Sequence, residues 1–239
     1  MASSIVYTAS IITGICVIVG TLMIIPIVGY EGKPKIILSF EIQPYGEISN
    51  FCEDLSKILN QNNIKSVIFI SGKIAEDHPS CVKNFGNNVD IGSQTYNYVE
   101  LPQVFDYSEQ LREVEKGKAS IDKIGNLNSK LFKAPNMATD ENIYSLLSKN
   151  SIEFDLSYYD HYNKFYDGRF LRYEMNVINL KDIKSTDYSK MDKNLPSLIE
   201  FDNSDSVKDI EDSINFLKSK NIEFVNPSDI MKKNLTNRN

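Results

Sequence analysis

The alternation of short apolar runs with helix-patterned segments is the feature that most constrains the fold of this chain. Apolar runs typical of buried strands occupy residues 35–40, 65–71, 89–92, 131–132, 152–156, 197–201 and 222–225, with a further strand near 175–180. Helical spacing of apolar residues occupies 47–61, 106–124, 140–149 and 207–220. Strands that alternate with helices lie parallel and are joined by crossovers, so the sequence predicts an α/β barrel or an open α/β sheet.

The amino terminus has a different character. No charged side chain occurs between Met1 and Tyr30, and residues 5–28 are almost wholly apolar or small. A helix needs roughly 20 apolar residues to cross a bilayer, and neither the basic start nor the cleavage site of a signal peptide is present. We therefore predict a transmembrane anchor over residues 1–30 that contacts the membrane through residues 5–28, and one soluble domain over residues 31–239.

The composition argues against nucleic acid as a partner, and it leaves open whether two of the cysteines pair. The net charge of −6 belongs entirely to the soluble domain, which argues against nucleic acid because such binding needs a basic surface. Of the three cysteines, Cys16 lies in the predicted span. Cys52 and Cys81 could pair only if their helices pack side by side, and we interpret them as buried free thiols.

Three short motifs follow predicted strands, at the strand ends where α/β folds gather ligands. They are Ser39-Phe40-Glu41-Ile42-Gln43-Pro44, Asp90-Ile91-Gly92-Ser93-Gln94-Thr95-Tyr96-Asn97-Tyr98 and Phe132-Lys133-Ala134-Pro135. In order and spacing they resemble the T-F-D-D-G-P, E-I-G-N-H-T-x-x-H and F-R-x-P motifs of the polysaccharide deacetylases, the chitooligosaccharide deacetylase homology domain of carbohydrate esterase family 4. The resemblance covers about residues 34–232 and implies a distorted (β/α) barrel after the single transmembrane helix.

The metal ligands of that family are missing from the matching positions. In the family an aspartate and two histidines hold zinc, which activates water against an N-acetyl group. Here the aspartate position holds Ile42, and the histidine positions hold Gln94 and Tyr98. Hydrocarbon, amide and phenol are absent or poor zinc ligands at neutral pH, so we predict that the zinc site is lost and that no cofactor is bound.

The acid–base residues of the family are only partly retained. Glu41 stands at the position of the base aspartate, and Lys133 at that of the arginine that orients the base. The resemblance makes these two the degenerate catalytic candidates, joined by a Glu41–Lys133 ion pair whose plainer interpretation is a structural salt bridge. The family's late histidine falls approximately on Phe201, and the sequence leaves open whether side chains such as Tyr98 and Phe201 fill the groove.

The remaining candidates concern binding. Tyr158, Tyr159 and Tyr162 begin an aromatic run suited to stacking on sugars or to a protein interface, although a packed loop over the barrel explains it as well. Gln94, Asn97 and Tyr98 could add hydrogen bonds to a glycan in the same cleft. The two histidines, His78 and His161, lie in distant segments, which favours surface or capping roles over an alternative metal site.

These observations predict an inactive, membrane-anchored deacetylase-like protein that binds a glycan or scaffolds a membrane protein at the cell envelope. The alternatives are a divergent metal-dependent deacetylase that uses Glu41, and an accessory subunit of a membrane complex. Lys33 and Lys35 follow the span and favour a cytoplasmic domain by the positive-inside rule. The family resemblance favours the outside, which is our prediction.

Overall fold

A computed structural model describes residues 32–140, 142–157 and 176–236. Its strands are β1 Lys35–Ile42, β2 Ser66–Ile70, β3 Val89–Ser93, β4 Leu131–Phe132, β5 Phe154–Asp155, β6 Asn176–Val177, β7 Ser197–Asp202 and β8 Glu223–Phe224. Its helices are α1 Ile48–Gln61, α2 Gly72–Asp77, α3 Ser80–Lys83, α4 Tyr107–Gly125, α5 Ile143–Lys149, α6 Val207–Lys218 and α7 Pro227–Thr236. Each strand and helix predicted between residues 35 and 225 is found within a few residues of its expected bounds.

The strands form one curved parallel sheet in the order β5-β4-β3-β2-β1-β7-β6, and β8 pairs with β1. All the pairings between described strands are parallel. Parallel neighbours need crossover connections, which helices supply from β1 to β5 and from β7 to β8, whereas the β6–β7 connection contains only short 3₁₀ turns. The prediction of a (β/α) barrel of the polysaccharide deacetylase type is confirmed for the described part of the chain. The predicted transmembrane helix lies outside the described residues, and within them no helix is long and apolar enough to cross a membrane.

Alternate side chains of β1 belong to two different apolar layers. Ile36, Leu38, Phe40 and Ile42 face outward and pack with α1 side chains such as Leu55 and Leu59 in one buried cluster. Ile37 faces inward and packs with Val67, Phe69 and Leu198 in a second cluster. Because successive strand side chains point to opposite faces, Ser39 and Glu41 share the inward face of Ile37. The carboxyl end of β1 therefore brings Glu41 to the mouth of the barrel.

Local signals in the sequence fix where several helices begin. Ser71, Asp106 and Ser206 cap α2, α4 and α6, and each side chain accepts a hydrogen bond from a backbone N–H of the first turn.

Gly92 in β3 lies beside Phe69 in β2, and a Cβ built at Gly92 would fall 2.2 Å from Phe69 Cε1. Glycine at this position lets the Phe69 ring enter the barrel core.

The expectation of free thiols at Cys52 and Cys81 is wrong. The two residues form a disulfide, with their Cα atoms 5.1 Å apart and both side chains fully buried. The physical reason is that α1 and α3 do pack side by side. Asn60 holds the two segments together, since its amide donates to the Asn84 carbonyl at 3.0 Å and its oxygen accepts from the Gly86 N–H at 2.9 Å.

Candidate functional site

Glu41 lies at the centre of the barrel mouth and is held by three donors. Its Oε1 accepts hydrogen bonds from Gln94 Nε2 at 2.9 Å and from the Tyr98 hydroxyl at 2.7 Å. Its Oε2 lies 2.7 Å from Lys133 Nζ. The four residues come from the three motifs that the sequence singled out, so the structure brings together Glu41, Lys133, Gln94 and Tyr98 as predicted.

The predicted ion pair between Glu41 and Lys133 is present, and it has a third member. Lys133 Nζ also lies 2.7 Å from Glu200 Oε1, so one ammonium bridges two carboxylates. The Lys133 side chain is 2% exposed, and those of Glu41 and Glu200 are 9% and 21% exposed. Charges buried to this degree need partners because desolvation is expensive, and the triad supplies them.

Sequence analysis missed Glu200, because it assigned the late-histidine position to its neighbour Phe201. In the structure β7 pairs with β1 in a register that sets Phe201 beside Phe40 and Glu200 beside Ser39. The Phe201 and Phe40 rings stack at 5.4 Å between centroids on the outward face. Phe201 therefore does not fill the groove, since strand alternation turns it toward the helices. A carboxylate inside an otherwise buried strand was the available signal for Glu200.

The loop after β3 is anchored so that Gln94 and Tyr98 both reach Glu41. Thr95 closes a turn by accepting from the Val99 N–H at 2.9 Å and donating to the Val99 carbonyl at 3.0 Å. Within this turn Tyr98 has a positive φ of 58°, a left-handed conformation that an L-residue keeps only where its surroundings hold it. On the helix side, a Cβ at Gly117 of α4 would fall 2.3 Å from the Gln94 carbonyl. Close packing of Gly117 against the Gln94 carbonyl thus holds the loop against α4.

The titration of the site follows from burial and charge. Burial, together with the neighbouring Glu41, Tyr45 and Asp202, raises the pKa of the Tyr98 hydroxyl well above its usual range. Burial alone would lower the pKa of Lys133, but the carboxylates of Glu200 and Glu41 outweigh it and raise that pKa. Burial raises the pKa of Glu200, and the Lys133 ammonium opposes the shift. Tyr98 and Lys133 are therefore held in their protonated forms.

The residues at the family's ligand positions do not fit a divalent metal. Ile42 is fully buried, and its hydrocarbon side chain faces the outer cluster, away from Glu41. Tyr98 is held as a neutral phenol that donates to Glu41, and Gln94 offers only an amide. Lys133 Nζ lies 2.7 Å from Glu41 Oε2, so that oxygen already has a cationic partner. Among the described residues, no group of three His, Cys, Asp or Glu side chains is placed to hold a metal ion.

Other predicted residues lie elsewhere. Asn97 does not join Gln94 in the cleft, because its amide donates to Glu113 of α4 at 2.6 Å. His78 ends α2, and its Nδ1 lies 2.8 Å from the Ser49 hydroxyl, in keeping with a capping role. The aromatic run that begins with Tyr158, Tyr159 and Tyr162 falls outside the described residues, as does His161.

Comparison with known proteins agrees with this geometry. A family model described as polysaccharide deacetylase matches residues 29–154. No curated protein matches the sequence. Among solved structures, peptidoglycan deacetylase PdaC from Bacillus subtilis superposes with a TM-score of 0.61 at 14% identity, covering 87% of this chain and 94% of that one.

Two further structures have the same fold at low identity. A family 4 carbohydrate esterase from Streptomyces lividans, solved in complex with acetate, gives a TM-score of 0.59 at 17% identity and covers 81% of this chain and 92% of that one. The CE4 family pseudoenzyme BA3943 from Bacillus anthracis gives 0.59 at 14% identity and covers 82% of this chain and 65% of that one. A mutant of that pseudoenzyme is described as having restored enzymatic activity.

Proposed function

We propose, from the premise that the chain belongs to the polysaccharide deacetylase family, that it is a catalytically inactive member. In this proposal the barrel is a glycan-binding module at the cell envelope, held to the membrane by residues 5–28. The barrel mouth would serve as the binding surface, in place of the reaction centre that the family fold normally carries.

The observation that carries this proposal is the set of three protein donors bound to Glu41. A general base must offer a lone pair to the proton that it abstracts, within hydrogen-bond reach of the nucleophile. Both oxygens of Glu41 already accept from protein donors, two on Oε1 and the Lys133 ammonium on Oε2. The contacts therefore favour a structural role for Glu41 over a chemical one.

The disulfide supports the proposed location outside the cytoplasm. Cys52 and Cys81 are joined in the buried core, and disulfides form and persist in oxidising compartments such as the periplasm and the cell exterior. Of the two orientations left open by the residues around the predicted span, the external one is compatible with this bond.

The proposal is tested by metal content and turnover together. We expect the purified full chain to hold no stoichiometric zinc and to release no acetate from N-acetylglucosamine oligomers, while calorimetry or a pull-down detects binding to a cell-envelope glycan. Glu41→Gln and the surface variant Glu153→Gln should behave alike in the activity assay. Stoichiometric zinc, with turnover that Glu41→Gln abolishes and Glu153→Gln retains, would overturn the proposal.

A further inference from the structure

The mouth of the barrel carries more negative charge than its one bridging ammonium balances. Besides Glu41 and Glu200, which share Lys133, Asp202 ends β7 beside Glu41 in the register, and Asp205 accepts from the Asp202 N–H at 2.9 Å. We refer to Glu41, Glu200, Asp202 and Asp205 as the mouth carboxylates. With these four groups ionised, their charge exceeds that of Lys133 by three. The excess favours a cation at the mouth.

An aromatic side chain lies against this charge and reaches solvent. Tyr45 is 48% exposed, and the Asn203 amide donates to its backbone carbonyl. Burial raises the pKa of the Tyr45 hydroxyl, and the charged side chains that add to the shift are Asp202, Glu41 and Asp205. The hydrogen bond from Asn203, which directly follows Asp202 at the end of β7, places Tyr45 next to the mouth carboxylates. A half-exposed tyrosine with acidic neighbours can stack on a sugar ring or receive a cation on its face.

A separate observation at the same place points to a ligand that donates hydrogen bonds. Gln94 is fully buried, yet its Oε1 finds no hydrogen-bond partner among the described residues. The Nε2 of the same carboxamide is 2.9 Å from Glu41 Oε1, so the unmatched oxygen lies beside that carboxylate. A buried carbonyl oxygen without a donor is costly, and a ligand that donates a hydrogen bond would satisfy it.

From these observations we propose that the barrel mouth binds sugars that carry a primary ammonium group in preference to sugars whose amine is N-acetylated. The ammonium would be received by Asp202 and the Gln94 carbonyl oxygen, with the sugar ring on Tyr45. An N-acetyl group is neutral and gains nothing from the excess negative charge, whereas an ammonium gains from each carboxylate that it approaches. This inference rests on the proposed glycan-binding function and specifies its ligand.

The test compares three probes by isothermal titration calorimetry with the full chain in detergent: a glucosamine tetramer, an N-acetylglucosamine tetramer and spermidine. We expect the glucosamine tetramer to bind about 10-fold or more tightly than either of the others at pH 6. Its affinity, unlike that of a neutral sugar, should fall when NaCl is raised, because salt screens exposed charge. Equal or tighter binding of the N-acetylated tetramer would overturn the inference and leave the proposed function standing. Equal binding of spermidine would overturn the sugar specificity. Binding of neither sugar would count against both proposals.

A matched pair of variants locates the site. Asp202→Asn keeps the oxygen that accepts from the Ser204 N–H at 2.7 Å, so the turn is retained while the charge is removed. We expect it to weaken binding of the glucosamine tetramer about 10-fold. Asp54→Asn, on α1, removes an exposed charge paired with Lys57 and should leave the affinity unchanged. Equal affinities in both variants and the parent chain would refute the assignment to the mouth.

Discussion

The ammonium of Lys133 and the carboxylate of Glu41 form an ion pair of 2.7 Å in which the two side chains are 2% and 9% exposed. A buried ion pair does not by itself make a fold more stable than an apolar pair in the same place would. Removing one member is nonetheless costly, because it leaves a buried charge without its partner. The pair therefore makes the barrel depend on Lys133 whether or not the site has a ligand.

Lys133→Met should destabilise the fold by about 3–5 kcal/mol, because it leaves Glu41 and Glu200 buried together without a cation. Urea unfolding at pH 7 measures the change. Lys130→Met is the matched control, since Lys130 forms an ion pair of the same 2.7 Å length with Glu153 but is 33% exposed. That variant should lose no more than about 1 kcal/mol. Similar losses in both variants would contradict a special role for the triad.

The stability of the protein should fall as the pH rises above 10. The pKa of Tyr98 is raised from 10.0 and that of Lys133 from 10.5, so the folded state keeps protons that the unfolded chain releases. A group whose pKa is raised on folding contributes stability that is complete below its unfolded pKa and is lost as the pH rises toward its folded pKa. Chemical unfolding at pH 8, 9, 10 and 11 measures this loss.

The variant Tyr98→Phe tests how much of the loss of stability at alkaline pH comes from the Tyr98 phenol. The variant should be less stable at pH 7 by about 1–2 kcal/mol, since Glu41 loses a donor. It should also show a shallower decline between pH 10 and 11 than the parent chain. A decline of unchanged slope would show that the Tyr98 phenol does not contribute to it.

Ile42→Asp should fail to rebuild a metal ligand and should destabilise the fold. Ile42 pairs with Ile70 in register and faces the outer apolar cluster, so an aspartate there would bury a carboxylate among hydrocarbon side chains. We expect a loss of at least about 3 kcal/mol, against about 0.5–1.5 kcal/mol for the control Ile42→Val. Denaturant unfolding and zinc titration report the two effects. Zinc binding by Ile42→Asp with retained stability would show that the side chain can turn inward.

Reduction of the disulfide should lower the stability of the protein. Cys52 and Cys81 are 29 residues apart in sequence, and a loop of this length corresponds to about 3–4 kcal/mol in the chain-entropy description. We expect Cys52→Ala/Cys81→Ala to unfold at lower urea than the parent chain under oxidising conditions. With dithiothreitol in both samples, the difference should largely disappear. Alkylation of two thiols in the unreduced, denatured parent chain, beyond Cys16, would contradict the bond.

The sequence was sufficient for the architecture and for the meeting of the three motifs, but not for which way their residues face. Apolar runs and helical spacing predicted the elements, because both signals are local. Spacing also predicted that Glu41 and Lys133 meet, since parallel strands end at one edge. Whether Ile42 and Phe201 faced inward or outward depended on how far each strand continued and on the register between β1 and β7. Those are properties of two strands together, and motif letters do not record them.

The contact between Gly92 and Phe69 limits what position 92 can hold. A Cβ there would fall 2.2 Å from Phe69 Cε1 on the adjacent strand, so any larger residue would have to displace the ring from the barrel core. The glycine is therefore required by packing between β2 and β3 and not by the chemistry of the mouth. Its place in the second motif reports the shape of the barrel, whatever ligand or reaction the barrel serves.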